Sequence, residues 1–295
     1  MNDKLKIALA MTLYGTLSLF IRNIPLTSAE VALFRALIAL VSLSAFRRLT
    51  GGGTGLRVPR RDALLLFLSG AAMGFNWIFL FEAYRYTSVS VATLSYYFSP
   101  VIVMLLSPLL FRERLTAGQI ICFVGSTLGL ILVVNVGASA GGSGQIRGVA
   151  FGLAAAALYA TVILMNKGIR GVSGIDRTLL QFAAAALVLL PYVLLTSGIR
   201  LQGMNALGWA CLGCVGIVHS GIAYVLYFSA LKALPGQEAA ILSYIDPLVA
   251  VVISMTVLGE PVTWLQLAGG ALILVFTLIN ELRPNPGAAA EGEDR

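Results

Sequence analysis

This chain predicts an all-α integral membrane fold: ten transmembrane helices in two inverted five-helix repeats. Three observations carry that reading. Of the 295 residues, 58% are hydrophobic and only 11% charged, against roughly 25% charged in a soluble domain. Mean hydropathy is +0.90, so polar residues are too few to cover a surface facing water. Second, ten apolar runs approach the about 20 residues that carry a helix across hydrocarbon. Third, the second half repeats the first at an offset of 147 residues: Phe81, Ala92, Tyr97, Pro100, Ser107, Glu113 and Thr116 fall on Phe228, Ala239, Tyr244, Pro247, Ser254, Glu260 and Thr263.

The spans follow in order at 6–23, 28–46, 62–83, 88–110, 117–136, 147–167, 176–197, 205–230, 236–258 and 263–282. The first, behind Lys4 and Lys6, imitates a secretion signal. Arg22-Asn23-Ile24-Pro25 stands where a small-residue cleavage site belongs, so it is read as a span. Pro25-Leu26-Thr27-Ser28, Thr87-Ser88, Leu234-Pro235-Gly236 and Glu260-Pro261-Val262-Thr263 supply turn and N-cap chemistry between neighbours. Such short links make successive helices antiparallel. Residues 1–136 form the first repeat, 137–146 a flexible Gly- and Ser-rich external linker, 147–283 the second repeat and 284–295 a disordered cytoplasmic tail.

Basic residues set the orientation. With the N-terminus in the cytoplasm, 15 Lys and Arg lie inside, among them Arg47, Arg48, Arg60, Arg61, Lys167 and Arg177. Only four, Arg22, Arg85, Arg147 and Arg200, lie outside. Both termini are therefore expected in the cytoplasm. An odd number of spans per repeat makes the second copy enter the membrane in the opposite direction, which lets two halves close alternately around one centre. The net charge of +7 is a topology signal here, and nucleic acid is not an expected partner. Cys122, Cys211 and Cys214 all lie in apolar stretches and read as small buried hydrophobes.

Polar residues inside spans carry the functional reading. Pro100 and Pro247 sit mid-span at equivalent places; each removes a backbone hydrogen bond and frees a carbonyl near residues 96 and 243. Lipid cannot satisfy such a carbonyl, so the bends are expected to face protein or a cavity and to act as paired hinges. Thr93, Tyr97, Pro100, Met104 and Ser107 form a stripe at helical spacing, matched by Ser243, Tyr244, Asp246, Pro247 and Ser254. Asp246 lies about ten residues into its span. A carboxylate there costs at least about 2.5 kcal/mol against lipid, so it should face a cavity or a partner.

His219, the single histidine, is mid-span beside Ser220 and Tyr224; it fits either proton coupling or a structural hydrogen bond. Asn76 and Trp77 in the third span, Tyr224 and Tyr227 in the eighth, and Tyr14 with Tyr159 bring polar and aromatic groups to related positions. Arg35 either holds an anionic group or pairs with Glu30 or Glu82, the pair being favoured. Glu113 and Glu260, at helix-to-helix turns, are expected to accept the next helix's free amides. Gly70/Gly74, Gly125/Gly129 and Gly148/Gly152 allow close helix approach, within the chain or across a homodimer. No metal-ligand pair, phosphate-binding loop or intramembrane protease motif stands out, so no cofactor, metal or catalytic residue is expected.

Together the repeat, Phe34-Arg35-Ala36-Leu37-Ile38-Ala39 and the proline-to-glutamate stretches 100–113 and 247–260 resemble the EamA-like branch of the drug/metabolite transporter superfamily, over residues 5–283. Gln181-Phe182 departs from the pattern by replacing Phe34-Arg35 in the second repeat. The resemblance implies a carrier of the bacterial inner membrane exporting small metabolites, most often amino acids. Its layout is similar to YddG-type exporters of aromatic amino acids. It also implies a cavity lined by spans three, four, eight and nine, helped by one and six. In that cavity Asp246, Ser243 and Asn76 would take a substrate's polar end, Tyr97, Tyr244 and Trp77 its apolar part, with His219, Tyr224, Tyr14, Arg35 and Tyr159 nearby. Cationic drugs, nucleosides or phosphorylated metabolites are the alternative cargoes, and an intramembrane enzyme the alternative class.

Overall fold

The computed structural model describes residues 2–50, 58–111, 116–169, 172, 174–231, 234 and 236–282. Its elements are helical: α1 (Asp3–Ile21), α2 (Ser28–Leu49), α3 (Arg60–Tyr86), α4 (Val89–Tyr96), α5 (Ser99–Phe111), α6 (Ala117–Lys167), α7 (Gly174–Thr196), α8 (Ala206–Cys214), a π-helix (Val215–Ile222), α9 (Ala223–Leu231), α10 (Gly236–Ser243), α11 (Ile245–Thr256) and α12 (Trp264–Leu282). Seven stretches are long and apolar enough to cross a bilayer. Three shorter apolar helices, Ala117–Val133, Ile241–Thr256 and Trp264–Asn280, bring the count to ten.

Caps start α2 and α4 as the sequence predicts, and α6 gains one as well. Thr27 and Glu30 form a capping box at α2, Thr116 and Gln119 another at α6, and Ser88 accepts the Val91 amide at α4. Over residues 137–146, where a flexible linker is expected, the helical assignment instead runs from Ala117 to Lys167. Gly and Ser lower helix propensity there without forbidding it, and no proline interrupts the stretch. Gly51–Gly55, Glu113 and the tail from 284 lie outside the described residues.

Three sets of repeat mates pack against each other, α2 with α7, α4 with α11 and α6 with α12, and the first two run antiparallel. At one end of the α2–α7 pair, Glu30 Oε1 accepts the Arg200 amide just beyond α7 (2.7 Å). At the other end, Arg47 Nε donates to Asp176 Oδ1 at the start of α7 (2.7 Å). The α4 and α11 segments behave likewise: Ser90 near the start of one lies 3.3 Å from Ser254 near the end of the other. Antiparallel mates are what two oppositely threaded copies of one unit produce. A pseudo-twofold axis therefore passes between these pairs.

Small residues let the copies come close. A Cβ on Gly70 would stand 2.5 Å from the Gln181 carbonyl oxygen, and one on Gly129 2.6 Å from that of Gly269. Gly74, Gly125, Gly148 and Gly152 also face neighbouring helices of the same chain. All three glycine pairs thus serve packing within the chain. Phe81 and Phe182, both in the main apolar cluster, are fully buried at 0% exposure.

Candidate functional site: a tyrosine-lined junction on the repeat axis

Two broken helices build the centre. α4 ends at Tyr96 and α5 begins at Ser99; α10 ends at Ser243 and α11 begins at Ile245. Each break falls two to three residues ahead of Pro100 or Pro247, where the proline ring removes the helical hydrogen bond. The freed Ser243 carbonyl receives a long hydrogen bond from the Tyr97 hydroxyl (3.4 Å). That same hydroxyl donates to Asp246 Oδ2 at 2.8 Å. Tyr97 belongs to the first repeat and Asp246 to the second, so the contact crosses the axis. Tyr97 and Tyr244, mates at the 147-residue offset, have ring centroids 6.4 Å apart, which places this pair beside the axis itself.

Aromatic rings surround the junction. Tyr96 meets Tyr97 at 6.1 Å and Tyr159 at 5.5 Å; Tyr14 meets Tyr224 at 5.6 Å. Trp77 and Tyr224, themselves repeat mates, both set an edge against Phe182, at 5.2 and 5.3 Å. Tyr14, Tyr96, Tyr97, Tyr224 and Asp246 are only half-buried although they lie within spans and among other helices.

Some expected members go elsewhere. Asn76 is 1% exposed and gives its side-chain amide to the Ala155 carbonyl (2.6 Å), tying α3 to α6. His219, also 1% exposed, engages both ring nitrogens: Nδ1 lies 3.2 Å from the Cys214 carbonyl and Nε2 3.0 Å from the Thr16 hydroxyl. Both act as helix-to-helix connectors here. The Ser243 hydroxyl bonds back to the Ala239 carbonyl (2.8 Å), leaving its backbone to face Tyr97.

Arg35 corrects a sequence expectation. Glu30 is occupied by Thr27 and the Arg200 amide, and Glu82 approaches Arg85. Arg35 instead donates from Nε to Ser220 Oγ (2.7 Å) and lies over the Trp77 ring at 4.6 Å. Glu260 is structural, as expected, but the amide it accepts is that of Val89 (2.8 Å), opening α4 of the other repeat rather than the following helix. It also takes the Ser254 hydroxyl and pairs with Arg22 at 2.6 Å. Arg22 Nη2 donates in turn to the Tyr84 and Thr87 carbonyls. One end of the junction is thereby closed by a network reaching from α1 and α3 to α11.

Sequence reasoning missed Tyr96, Phe182 and the π-helix. A continuous helix would point Tyr96 about 100° away from Tyr97, but the break after Tyr96 lets both adjacent tyrosines reach the centre. The π-helix widens the eighth span so that His219 and Ser220 bond carbonyls five residues back, Cys214 and Val215. Gly216 and Gly221 set this segment close against Ile38 and Ser42 of α2.

Two consecutive stretches, residues 5–135 and 146–281, each match the EamA-like transporter family. The chain belongs to that family. The double match also marks the two repeats as copies of the one EamA unit. An uncharacterized transporter of Bacillus subtilis, YxxF, is 30% identical over 98% of this chain and 93% of its own length. An uncharacterized transporter of Archaeoglobus fulgidus is 30% identical over 92% and 94%. A solved crystal structure superposes with a TM-score of 0.66, covering 94% of this chain and 95% of that one; at 22% identity it shows the shared fold. This EamA-like protein is a multi-pass membrane transporter rather than an enzyme.

Proposed function

We propose that this EamA-like protein is a secondary transporter of the bacterial inner membrane that exports small metabolites, amino acids foremost, by alternating access. The supporting observation is the Tyr97–Asp246 hydrogen bond at 2.8 Å, made between repeats where both proline-broken helices meet. Asp246 offers a carboxylate to a substrate ammonium. The broken backbone offers carbonyl groups, and Tyr14, Tyr96, Tyr97, Tyr159, Tyr224, Tyr244 and Trp77 offer rings to an apolar side chain. Repeat inversion supports the transport cycle, because one set of contacts can close on either side of a fixed centre.

In this reading the halves rock about the axis and bend near Pro100 and Pro247. The Arg22–Glu260–Val89 network closes the side that the distribution of basic residues places outside. A purely cationic cargo needs Asp246 alone, whereas a zwitterion also needs a cationic partner for its carboxylate. The test is counterflow in liposomes containing purified protein, against a panel of labelled amino acids. Saturable exchange of at least one amino acid is expected, with loss of exchange in Asp246→Ala. Exchange of none, or an Asp246→Ala variant that exchanges normally, overturns the proposal.

A further inference from the structure

We infer that Arg35 anchors the carboxylate of the transported substrate, which makes a carboxylate-bearing metabolite the preferred cargo; this rests on the amino-acid reading above. Arg35 is 4% exposed and sits within a membrane span. Among the described residues no carboxylate lies within ion-pair distance of it. Its described hydrogen bond is made by Nε, to Ser220 Oγ at 2.7 Å, and Ser220 is itself fixed by donating to the Val215 carbonyl at 3.0 Å. An arginine carries five N–H donors. The bond through Nε orients the guanidinium and leaves the four Nη hydrogens as a planar fork, the geometry that grips a carboxylate with two parallel hydrogen bonds.

The surroundings are built around this group. The π-helix presents Ser220, and Trp77 lies beneath the guanidinium at 4.6 Å with Phe81 at 5.8 Å. The rings favour a cation without supplying a counter-charge. A buried cation in lipid normally has a counter-ion or a functional duty. The repeat makes the contrast plain: the position equivalent to Arg35 is Phe182, fully buried against Trp77 and Tyr224. One copy thus presents a cation where the other presents a ring. Asp246 borders the same ring-lined junction: its backbone carbonyl packs against Gly15 of α1, beside Tyr14, which meets Tyr224 and through it Phe182 next to Trp77. A guanidinium and a carboxyl group set apart in this way match a molecule with a carboxylate at one end and an ammonium at the other. A cation held only by stacking on Trp77 predicts no dependence on the substrate's carboxylate.

Counterflow separates the two. For the amino acid carried best, the decarboxylated amine and the deaminated acid are compared as competitors, with a phosphomonoester of similar size as a further arm. The wild type is expected to bind the amine roughly 10- to 100-fold more weakly than the amino acid, the range for a lost charged hydrogen bond. Arg35→Gln should erase that discrimination, and Arg35→Lys should retain part of it. Asp246→Asn should erase discrimination against the deaminated acid instead. An amine that competes as well as the amino acid overturns the inference while leaving amino-acid transport standing. So does a phosphomonoester that competes better than the amino acid. Failure to carry any amino acid removes both. The wild-type comparison tests the need for a carboxylate, and Arg35→Lys, which keeps the charge, tests what holds it should Arg35→Gln fail to fold.

Discussion

Tyr97 joins the two repeats through one hydroxyl, which donates to Asp246 at 2.8 Å. Tyr97→Phe keeps the ring and deletes that donor. Since hydrogen bonds to charged groups are worth about 1.5–3 kcal/mol, initial transport rates should fall roughly tenfold or more. Melting temperature in detergent should fall as well, because the bond joins the two repeats in the folded protein. His219 provides the contrast. Its nitrogens connect the Cys214 carbonyl and the Thr16 hydroxyl, so His219→Ala should cost about 1–3 kcal/mol of stability, read as a lower melting temperature, with substrate KM preserved. These two residues also show what a sequence reveals at this scale. Polar groups in mid-span stand out from it, and both were visible. Their partners lie on other helices, so whether each faces a centre or a neighbouring helix was not. Arg35 shows the same thing: Glu30 is its nearest carboxylate in sequence, yet Glu30 caps its own helix.

Breaks and crossings dominate at the scale of the element. The helix interruptions ahead of Pro100 and Pro247 were legible because proline acts locally, on its own helix. The π-helix at Val215–Ile222 was not. It depends on side chains bonding carbonyls five residues back and on α2 pressing against Gly216 and Gly221, and neither appears in hydrophobic periodicity. Helix crossings sit between these cases. Glycine spacing announced close approach without saying against what, and the structure places Gly129 of α6 against Gly269 of α12. A Cβ at position 129 would meet the Gly269 carbonyl at 2.6 Å and Leu272 at 2.9 Å. Gly129→Val should therefore push the helices apart and cost about 1–3 kcal/mol, seen as a lower melting temperature. Gly213→Ala, with nothing within 4 Å of the new methyl group, should be neutral or raise it slightly, as expected for glycine replacement within a helix.

For the whole molecule, the question is what holds one side shut. Glu260 gathers contributions from three helices: the first amide of α4, the Ser254 hydroxyl of α11 and the Arg22 guanidinium beyond α1. All three must separate if α4 and α11 part at this end. Inversion gives the other end an equivalent carboxylate at the 147-residue offset, Glu113, which lies outside the described residues. Where the two ends of one axis alternate, the strength of this closure sets which end is open at rest. Glu260→Gln keeps shape and removes charge, so it should weaken this end by about 1.5–3 kcal/mol and shift the population roughly 10- to 100-fold toward opening there. Ser90, fully buried beside the network, provides the readout. With Cys122, Cys211 and Cys214 replaced by Ala, Ser90→Cys should react with an impermeant thiol reagent faster in the Glu260→Gln background. Glu113→Gln, at the position equivalent to Glu260 in the repeat, should slow the same reaction where the two ends alternate about one axis. Acceleration by both substitutions would mean that the two ends loosen independently, and a shared axis would then have no part in the cycle.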